Sequence, residues 1–124
     1  MNYLVCIGSN TGQARNMELA RRELKVLFPE VAFSAEIMTQ PIGMKRSAPF
    51  ANQLARFSAP ISPAEVEQLL KQIERKSGRS REEKALEVVR LDLDLLMADS
   101  RPLRSDDLQR SFVRQLMVDF WPFG

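Results

Sequence analysis

Short apolar runs and longer helical stripes alternate along the chain and predict a mixed fold of strands and helices. Apolar residues recur at helical spacing in two segments, residues 16–27 and 62–77. Four shorter apolar runs are typical of β-strands. These runs cover residues 3–7, 31–38, 50–57 and 88–97. The resulting order of elements predicts an α+β fold, a ferredoxin-like βαββαβ sandwich with both helices on one face of the sheet.

The second of these helices has the clearest end signals. Ser62 precedes Pro63, which suits the first helical position, and Glu65 completes a capping box. Gly78 supplies the expected cap at the other end. The apolar residues between these ends fall on one stripe, at Val66, Leu69, Leu70 and Ile73.

An extra helix is predicted near the C-terminus. Ser105 could cap it, after the turn around Pro102. The apolar residues along one side of this helix are Leu108, Phe112, Leu116 and Phe120. The chain contains no internal repeat and no linker, so residues 1–124 are expected to form a single domain in which this helix is added to the ferredoxin-like core.

Composition narrows the chemistry that this chain can perform. It has one cysteine, Cys6, and no histidine, which excludes an internal disulfide, a zinc site of the usual Cys/His type and a histidine-based triad. Its net charge of +2, with acids and bases interspersed, gives little support for nucleic-acid binding. Because no signal-peptide pattern or membrane-spanning apolar run occurs, we expect a cytoplasmic protein without a membrane partner.

Two aspartates, Asp92 and Asp94, interrupt the last apolar run. Because side chains alternate between the two faces of a strand, both point the same way, with Cα atoms about 6.6–7 Å apart. Two carboxylates on one face of a core strand repel each other and resist burial. A cation must offset that cost, and magnesium ions or arginines are the usual candidates. Arg90, two positions earlier in the same run, is expected to share this face.

Several short motifs occur in a fixed order along the chain. They are Ile7-Gly8-Ser9-Asn10; Thr39-Gln40-Pro41-Ile42-Gly43 with Phe50-Ala51-Asn52; Ile73-Glu74 with Gly78-Arg79-Ser80-Arg81; and Leu91-Asp92-Leu93-Asp94-Leu95-Leu96. Each motif is weak alone, but their joint order and spacing resemble the 6-hydroxymethyl-7,8-dihydropterin pyrophosphokinase family. The resemblance extends from about Tyr3 to Met97.

The resemblance implies a reaction and its cofactors. Members of that family move a diphosphate group from ATP to the hydroxymethyl group of a reduced pterin in folate biosynthesis, and AMP leaves. The pterin oxygen is the nucleophile, so positioning and charge neutralisation supply most of the rate. The resemblance also implies two Mg²⁺ ions held by Asp92 and Asp94, which would be both metal ligands and catalytic residues. ATP and the reduced pterin are the expected partners, and the oligomeric state is left open.

Residues of the pterin site are also implied by the resemblance, one at a time. Asn52 matches the residue whose side-chain amide contacts the edge of the pterin, and Phe50 matches an aromatic residue beside it. Gly8, Ile42 and Gly43 match backbone that lines the pocket.

A further group of residues matches the nucleotide site. Glu74 matches an acid near the nucleotide. Arg79 and Arg81 match arginines that approach the ATP phosphates, where a planar guanidinium pairs well, and both are expected to be catalytic. For Arg90 two roles stay open, because it could pair with Asp92 or reach a phosphate as a nucleotide-binding residue.

The chain departs from the family pattern at two phosphate-contacting places. Residues 86–89 are Leu-Glu-Val-Val where the family has an aromatic residue followed by Gly-Pro-Arg, and Asp107-Leu108 stands where the family has Pro-His. Two functions therefore remain open, an active pyrophosphokinase and a relative that binds pterin or nucleotide without turnover. A ferredoxin-like nucleic-acid module ranks below both, because the aromatic-and-glycine signature of an RNA-binding sheet is missing.

Overall fold

A computed structural model describes residues 1–41, 48–79, 83 and 86–122. The strands in this part of the chain are β1 (Asn2–Ser9), β2 (Ala32–Phe33), β3 (Ile37–Thr39), β4 (Phe50–Ser58), β5 (Asp92–Ala98) and β6 (Arg101–Pro102). The helices are α1 (Gln13–Leu27), α2 (Pro63–Lys76), α3 (Ser105–Leu108) and α4 (Ser111–Met117). Within the described residues, no helix is long and apolar enough to cross a membrane.

The strands form one antiparallel sheet in the order β2-β4-β1-β5-β6, and β3 also pairs with β4. The central strand, β1, is apolar along most of its length, and Tyr3, Leu4, Val5 and Ile7 are completely buried. Because α1 and α2 cover one face of β1 and α4 covers the other, a nearly continuous apolar run suits this position. The element order and the sheet order confirm the predicted α+β ferredoxin-like sandwich.

The two faces of the sheet have separate cores. On one face, Tyr3, Val5 and Ile7 of β1 form a cluster with α1 and α2, which contribute Met17, Leu24, Val66 and Leu70. On the opposite face, Phe112 and Val113 of α4 pack with Leu4, Leu54 and Leu96. The predicted placement of the two long helices on one face is confirmed by this packing.

The end signals of α2 act as predicted. The Ser62 hydroxyl accepts from the Glu65 backbone N–H at 3.2 Å, and the Ser62 N–H donates to the Glu65 carboxylate at 3.3 Å. Together these contacts complete the capping box. After the helix, Gly78 has a φ of +88°, a left-handed conformation that glycine adopts without steric cost. The chain therefore reverses direction at Gly78, which brings the following residue, Arg79, back toward β5.

Four predicted boundaries were wrong. The first helix, α1, begins at Gln13 rather than at residue 16, directly after Gly12, whose φ is +54°. The run 31–38 is divided into β2 and β3, because the Ser34 hydroxyl accepts from the Leu54 N–H at 2.9 Å in place of a backbone carbonyl. The single C-terminal helix is two short helices, α3 and α4, and Ser105 is the first residue of α3 rather than its cap. The last strand begins at Asp92 rather than Val88.

The late start of β5 has a clear cause in Asn10. Its side chain accepts from the Val89 N–H at 2.7 Å and donates to the Glu87 carbonyl at 2.8 Å. Its own N–H donates to the Val89 carbonyl at 2.9 Å. Glu87 has a φ of +58°, so the backbone turns there before it reaches the sheet. Residues 87–89 are consequently bonded to the end of β1 through Asn10 and enter the sheet only at Asp92.

Candidate functional site

The register of the sheet places three predicted site residues side by side. Gly8 of β1 pairs with Asn52 of β4 on one side and with Asp92 of β5 on the other. Directly opposed residues share a face, and adjacent strands lie about 4.7–4.9 Å apart, so Asn52 and Asp92 are separated by about 10 Å across Gly8. Asp94 lies in the next row, opposite Cys6. The expected common face of Asp92 and Asp94 is confirmed, since both are partly exposed while Leu93 and Leu95 are buried.

Gly8, in the middle of this row, has no side chain, and its neighbours on β4 border the position that a side chain would take. A Cβ atom built on Gly8 would lie 3.7 Å from the Asn52 Oδ1 and 4.0 Å from the Phe50 Cδ1. The predicted pterin-contacting residues Asn52 and Phe50 thus border this position on the β4 side, and the register places Asp92 next to it on β5. A side chain at Gly8 would be in van der Waals contact with Asn52 and Phe50.

Asn52 is held in a fixed orientation although it is buried in a strand. Its Nδ2 donates to the Thr39 hydroxyl at 2.8 Å and to the Phe50 carbonyl at 3.2 Å. Buried amides are stable only when their polar atoms are bonded, and here both amide hydrogens are used within the sheet. The Oδ1 atom is the part of the amide nearest Gly8. Asn52 therefore presents a hydrogen-bond acceptor to whatever lies above Gly8.

Arg79, Glu74 and Asp92 form an ion-paired group between the end of α2 and the start of β5. The Arg79 Nη1 lies 3.0 Å from the Asp92 Oδ1 and 3.1 Å from the Glu74 Oε2. The same nitrogen donates to the Leu91 carbonyl at 3.1 Å. The Glu74 Oε2 accepts from the Leu93 N–H at 2.8 Å, on the side of β5 that faces away from β1. Glu74 therefore bonds to the edge of β5, and Arg79 neutralises the first aspartate.

The carboxyl groups of this site do not all ionise together. Burial raises the pKa of Asp94 to about 8, and the hydrogen bond to Asp92 and the charge of Asp92 act in the same direction. Burial also raises the pKa of Asp92, but hydrogen bonds from Asp94 and Arg79 outweigh it and leave that pKa below its ordinary value. At neutral pH one proton is shared by two carboxyl groups, because like charges this close cannot both form at low cost.

Burial likewise raises the pKa of Glu74, although the hydrogen bond from the Leu93 N–H opposes this. Burial, with the charges of Asp94 and Asp92, raises the pKa of the Cys6 thiol well above its ordinary range. The Cys6 sulfur is therefore protonated at neutral pH and is a poor nucleophile.

The chemistry of the aspartate pair suits magnesium. Mg²⁺ prefers hard oxygen ligands and binds through one or two carboxylates, with waters and phosphate oxygens completing its shell. Asp92 and Asp94 are such a pair, and their mutual repulsion is relieved here by a proton and by Arg79. In the described part of the chain, no group of three or more acidic, cysteine or histidine side chains is arranged to hold a metal ion. Further ligands would have to come from bound phosphates and water.

Arg90 is placed differently from the sequence prediction. Its Nε donates to both carboxylate oxygens of Glu83, at 3.0 and 2.9 Å, and its guanidinium lies over Gly78. The expectation that Arg90 shares a strand face with Asp92 was wrong, because the chain enters β5 only after Arg90. The neutralising arginine is Arg79 instead. A nucleotide-binding role for Arg90 stays a prediction.

Three other predicted site residues, Ile42, Gly43 and Arg81, lie outside the described residues. In contrast, the structure adds Arg104, which sequence reasoning missed. Its Nη2 lies 3.4 Å from the Asp94 Oδ1. No local pattern marks Arg104, because it reaches Asp94 only through the turn that connects β5, β6 and α3.

The fold and the site define a ferredoxin-like domain with a carboxylate pair flanked by arginines, at one end of its sheet. Residues 4–122 match the model of the 7,8-dihydro-6-hydroxymethylpterin-pyrophosphokinase (HPPK) family. The match covers nearly the whole chain, so the protein belongs to this family, whose members are transferases of folate biosynthesis. A search among curated proteins finds no match.

Proposed function

We propose that this chain is an active pterin pyrophosphokinase. In the proposed reaction, the hydroxymethyl oxygen of 6-hydroxymethyl-7,8-dihydropterin attacks the β-phosphorus of ATP. The bond between that phosphorus and the oxygen bridging to the α-phosphate breaks, AMP leaves, and the hydroxyl proton is lost to solvent or to a phosphate oxygen. The row of Asn52, Gly8 and Asp92 carries this proposal, because it brings the amide proposed to contact the pterin next to the carboxylate pair proposed to bind the metal ions.

The row suits a flat bicyclic ring placed above Gly8. Asn52 would accept a hydrogen bond at the edge of the ring, and Phe50 would border its face. With the ring fixed there, the hydroxymethyl group would point toward β5, where Asp92 and Asp94 would hold two Mg²⁺ ions. Those ions would neutralise the phosphates and bring the two substrates together. By resemblance, Ile42 and Gly43 would complete the pterin pocket.

The arginines would act on the charge of the nucleotide. Arg79 is bound to Asp92 and Glu74, so its planar guanidinium is already positioned at the edge of the metal site. Arg81 is proposed to approach the phosphates as well, on the strength of the resemblance alone. For Arg90, which bonds to Glu83 here, a phosphate contact stays the alternative that its sequence position left open. The proposed partners are ATP and the reduced pterin. The single domain, the cytoplasmic location and the absence of a nucleic-acid partner stay predictions.

A second candidate function is pterin or nucleotide binding without turnover. One observation favours it: Val89 stands where the family has an arginine, and its backbone is bonded to Asn10. This position therefore offers no cation to the phosphates. The two candidates differ in a single product, AMP.

The test is an assay of AMP formation with the pterin substrate, ATP and Mg²⁺, beside a known active enzyme of the family. We expect AMP above a no-enzyme control. The variant Asp94→Ala should reduce the rate by about 100-fold or more, because it removes a metal ligand. The matched variant Asp119→Ala, at an exposed aspartate outside the site, should keep the rate.

One result would overturn the active enzyme, and another would overturn the role of the aspartate pair. No AMP from the wild-type chain, while the known enzyme turns over, would overturn it, and calorimetric binding of the pterin or of ATP would then support the second candidate. Unchanged AMP formation by Asp94→Ala would show that the aspartate pair does not hold the catalytic metal.

A further inference from the structure

In the described part of the chain, two arginines contact the aspartate pair of β5, one at each aspartate. Arg79 contacts Asp92, and Arg104 contacts Asp94, whose side chain is 23% exposed. The second of these contacts belongs to no motif in the sequence. We propose that Arg104 is a phosphate-binding residue of this site, which takes the diphosphate portion of the nucleotide on the Asp94 side. The inference rests on the proposed function.

The contacts of Arg104 are loose compared with those of Arg79. Its Nη2 lies 3.4 Å from the Asp94 Oδ1, and its Nη1 lies 3.7 Å from the Asp107 Oδ2. Both distances exceed the 2.7–3.2 Å typical of N–H···O hydrogen bonds, whereas Arg79 makes contacts at 3.0 and 3.1 Å. The Arg104 side chain is also 48% exposed. Its N–H groups are thus close to the site without being committed to either carboxylate.

The backbone at Arg104 is held by hydrogen bonds, whereas its side chain makes only the two longer contacts. The Leu103 N–H donates to the Leu96 carbonyl at 2.8 Å, and the Leu108 N–H donates to the Arg104 carbonyl at 3.1 Å. Arg104 is the residue before α3, and its side chain makes no capping bond. The position of the Arg104 Cα is therefore set by the backbone, while its exposed guanidinium lies beside the Asp94 carboxylate. This arrangement suits contact with a ligand bound above Asp94.

The charge of the ligand makes a second arginine useful. Phosphates carry several negative charges, and a guanidinium pairs with two phosphate oxygens at once. The sequence lacks the family's arginine at Val89 and has Asp107-Leu108 in place of the Pro-His pair. Arg90 bonds to Glu83. Within the described residues, Arg104 is the arginine that contacts Asp94, so it is placed to supply the missing cation there.

The experiment compares Arg104→Gln and Arg104→Lys with the wild-type chain. Arg101→Gln is the matched control, because Arg101 is an exposed arginine on β6. Calorimetry measures the dissociation constant of a non-transferable α,β-methylene ATP analogue with Mg²⁺, and separately that of Mn²⁺ alone. Thermal unfolding verifies that each variant folds.

Arg104→Gln should weaken binding of the nucleotide analogue by about ten- to a hundredfold, the effect of losing a charge-assisted contact. The affinity of Arg104→Lys for the analogue should lie between that of Arg104→Gln and that of the wild type, because lysine keeps the charge but lacks the planar guanidinium. Arg101→Gln should stay within about twofold of the wild type, as expected for an exposed charge away from the ligand. Mn²⁺ alone should bind Arg104→Gln no more weakly than the wild type, since a nearby cation has been removed.

Two binding results for Arg104→Gln would overturn this role for Arg104. One is nucleotide binding by Arg104→Gln that equals binding by Arg101→Gln. The other is an equal loss of affinity for Mn²⁺ alone, because Arg104 would then act by arranging Asp94. If the wild-type chain binds no nucleotide and forms no AMP, the proposed function fails and this role fails with it. If the wild-type chain turns over and Arg104→Gln does so with the same KM for ATP, only the role of Arg104 is lost.

Discussion

Asp94 should make the stability of this protein fall as the pH rises from about 5 to 7. The folded chain holds a proton on Asp94, whose pKa is raised to about 8 by burial and by Asp92. In the unfolded chain the same carboxyl group has an ordinary pKa of about 3.9. Between these two values the folded state binds one proton more than the unfolded state, so raising the pH favours unfolding. Above pH 8 both states have lost the proton and the slope disappears.

The magnitude follows from the size of this proton difference. One proton corresponds to about 1.4 kcal/mol for each pH unit, so the free energy of unfolding should drop by at most about 2.7 kcal/mol between pH 5 and pH 7. The raised pKa of Glu74 acts in the same direction. The lowered pKa of Asp92 acts only at acid pH, where stability is lost as Asp92 becomes protonated.

The variant Asp94→Asn isolates this effect. Asparagine is neutral at every pH and can still donate a hydrogen bond to Asp92, so the variant should match the wild type near pH 5 and exceed its stability by about 2 kcal/mol near pH 7. Urea unfolding at a series of pH values measures both curves. Asp119→Asn, the same change at an exposed carboxyl group, should follow the wild-type curve.

Added Mg²⁺ provides an internal check, because the metal and the proton compete for the same oxygen atoms. The increase in Tm caused by Mg²⁺ should be larger at pH 8 than at pH 5 in the wild type, and small at both pH values in Asp94→Asn. A wild-type stability that is flat between pH 5 and 8, or an Asp94→Asn curve with the wild-type slope, would refute the reasoning.

Three further substitutions test the row of Asn52, Gly8 and Asp92, the bonds from Asn10 to residues 87 and 89, and the capping box of α2. Gly8→Ala should leave the Tm nearly unchanged, because its Cβ meets the Asn52 Oδ1 at an ordinary 3.7 Å, yet weaken pterin binding by about tenfold in calorimetry; equal pterin affinity would show that the ring does not lie above Gly8. Asn10→Ala removes the side-chain bonds to Val89 and Glu87 and should lower the free energy of unfolding in urea by about 2–4 kcal/mol. A loss smaller than about 1 kcal/mol would show that these bonds do not hold residues 87–89 in place. Ser62→Ala should cost about 1 kcal/mol through loss of the capping box, and an unchanged urea midpoint would contradict that assignment.

Features of the fold that depend on neighbouring residues could be predicted from the sequence. The capping box of Ser62 and Glu65 lies within one helical turn, and the apolar stripe of α2 repeats over a few residues. Both features arise from interactions between residues that are close in sequence, so the local sequence pattern is enough to predict them. The common face of Asp92 and Asp94 was predictable for the same reason, because alternation along a strand is a local rule.

The features that were missed depend on contacts between distant parts of the chain. The start of β5 is set by Asn10, which is far from Val89 in sequence but bonded to it in the fold. The arginine that neutralises Asp92 is Arg79, which reaches it because Gly78 reverses the chain, whereas the nearer Arg90 bonds to Glu83. Polar pairing of this kind has no periodicity, so a single sequence does not reveal which of several arginines will meet a given carboxylate.

The aspartate pair destabilises β5, because two carboxylates on one face repel each other and lose contact with water. This cost supports a ligand-binding role for the pair. Leu93 and Leu95 fill the other face of β5 with apolar side chains, and an uncharged residue at Asp94 would remove the repulsion altogether. The fold instead offsets the charge with a shared proton, with Arg79 and with the loosely held Arg104. In the proposed function each of these three compensations would be exchanged, the proton for a metal ion and the arginine contacts for phosphate oxygens. A site balanced by replaceable partners is suited to binding a metal–phosphate complex, and a purely architectural role would need none of them.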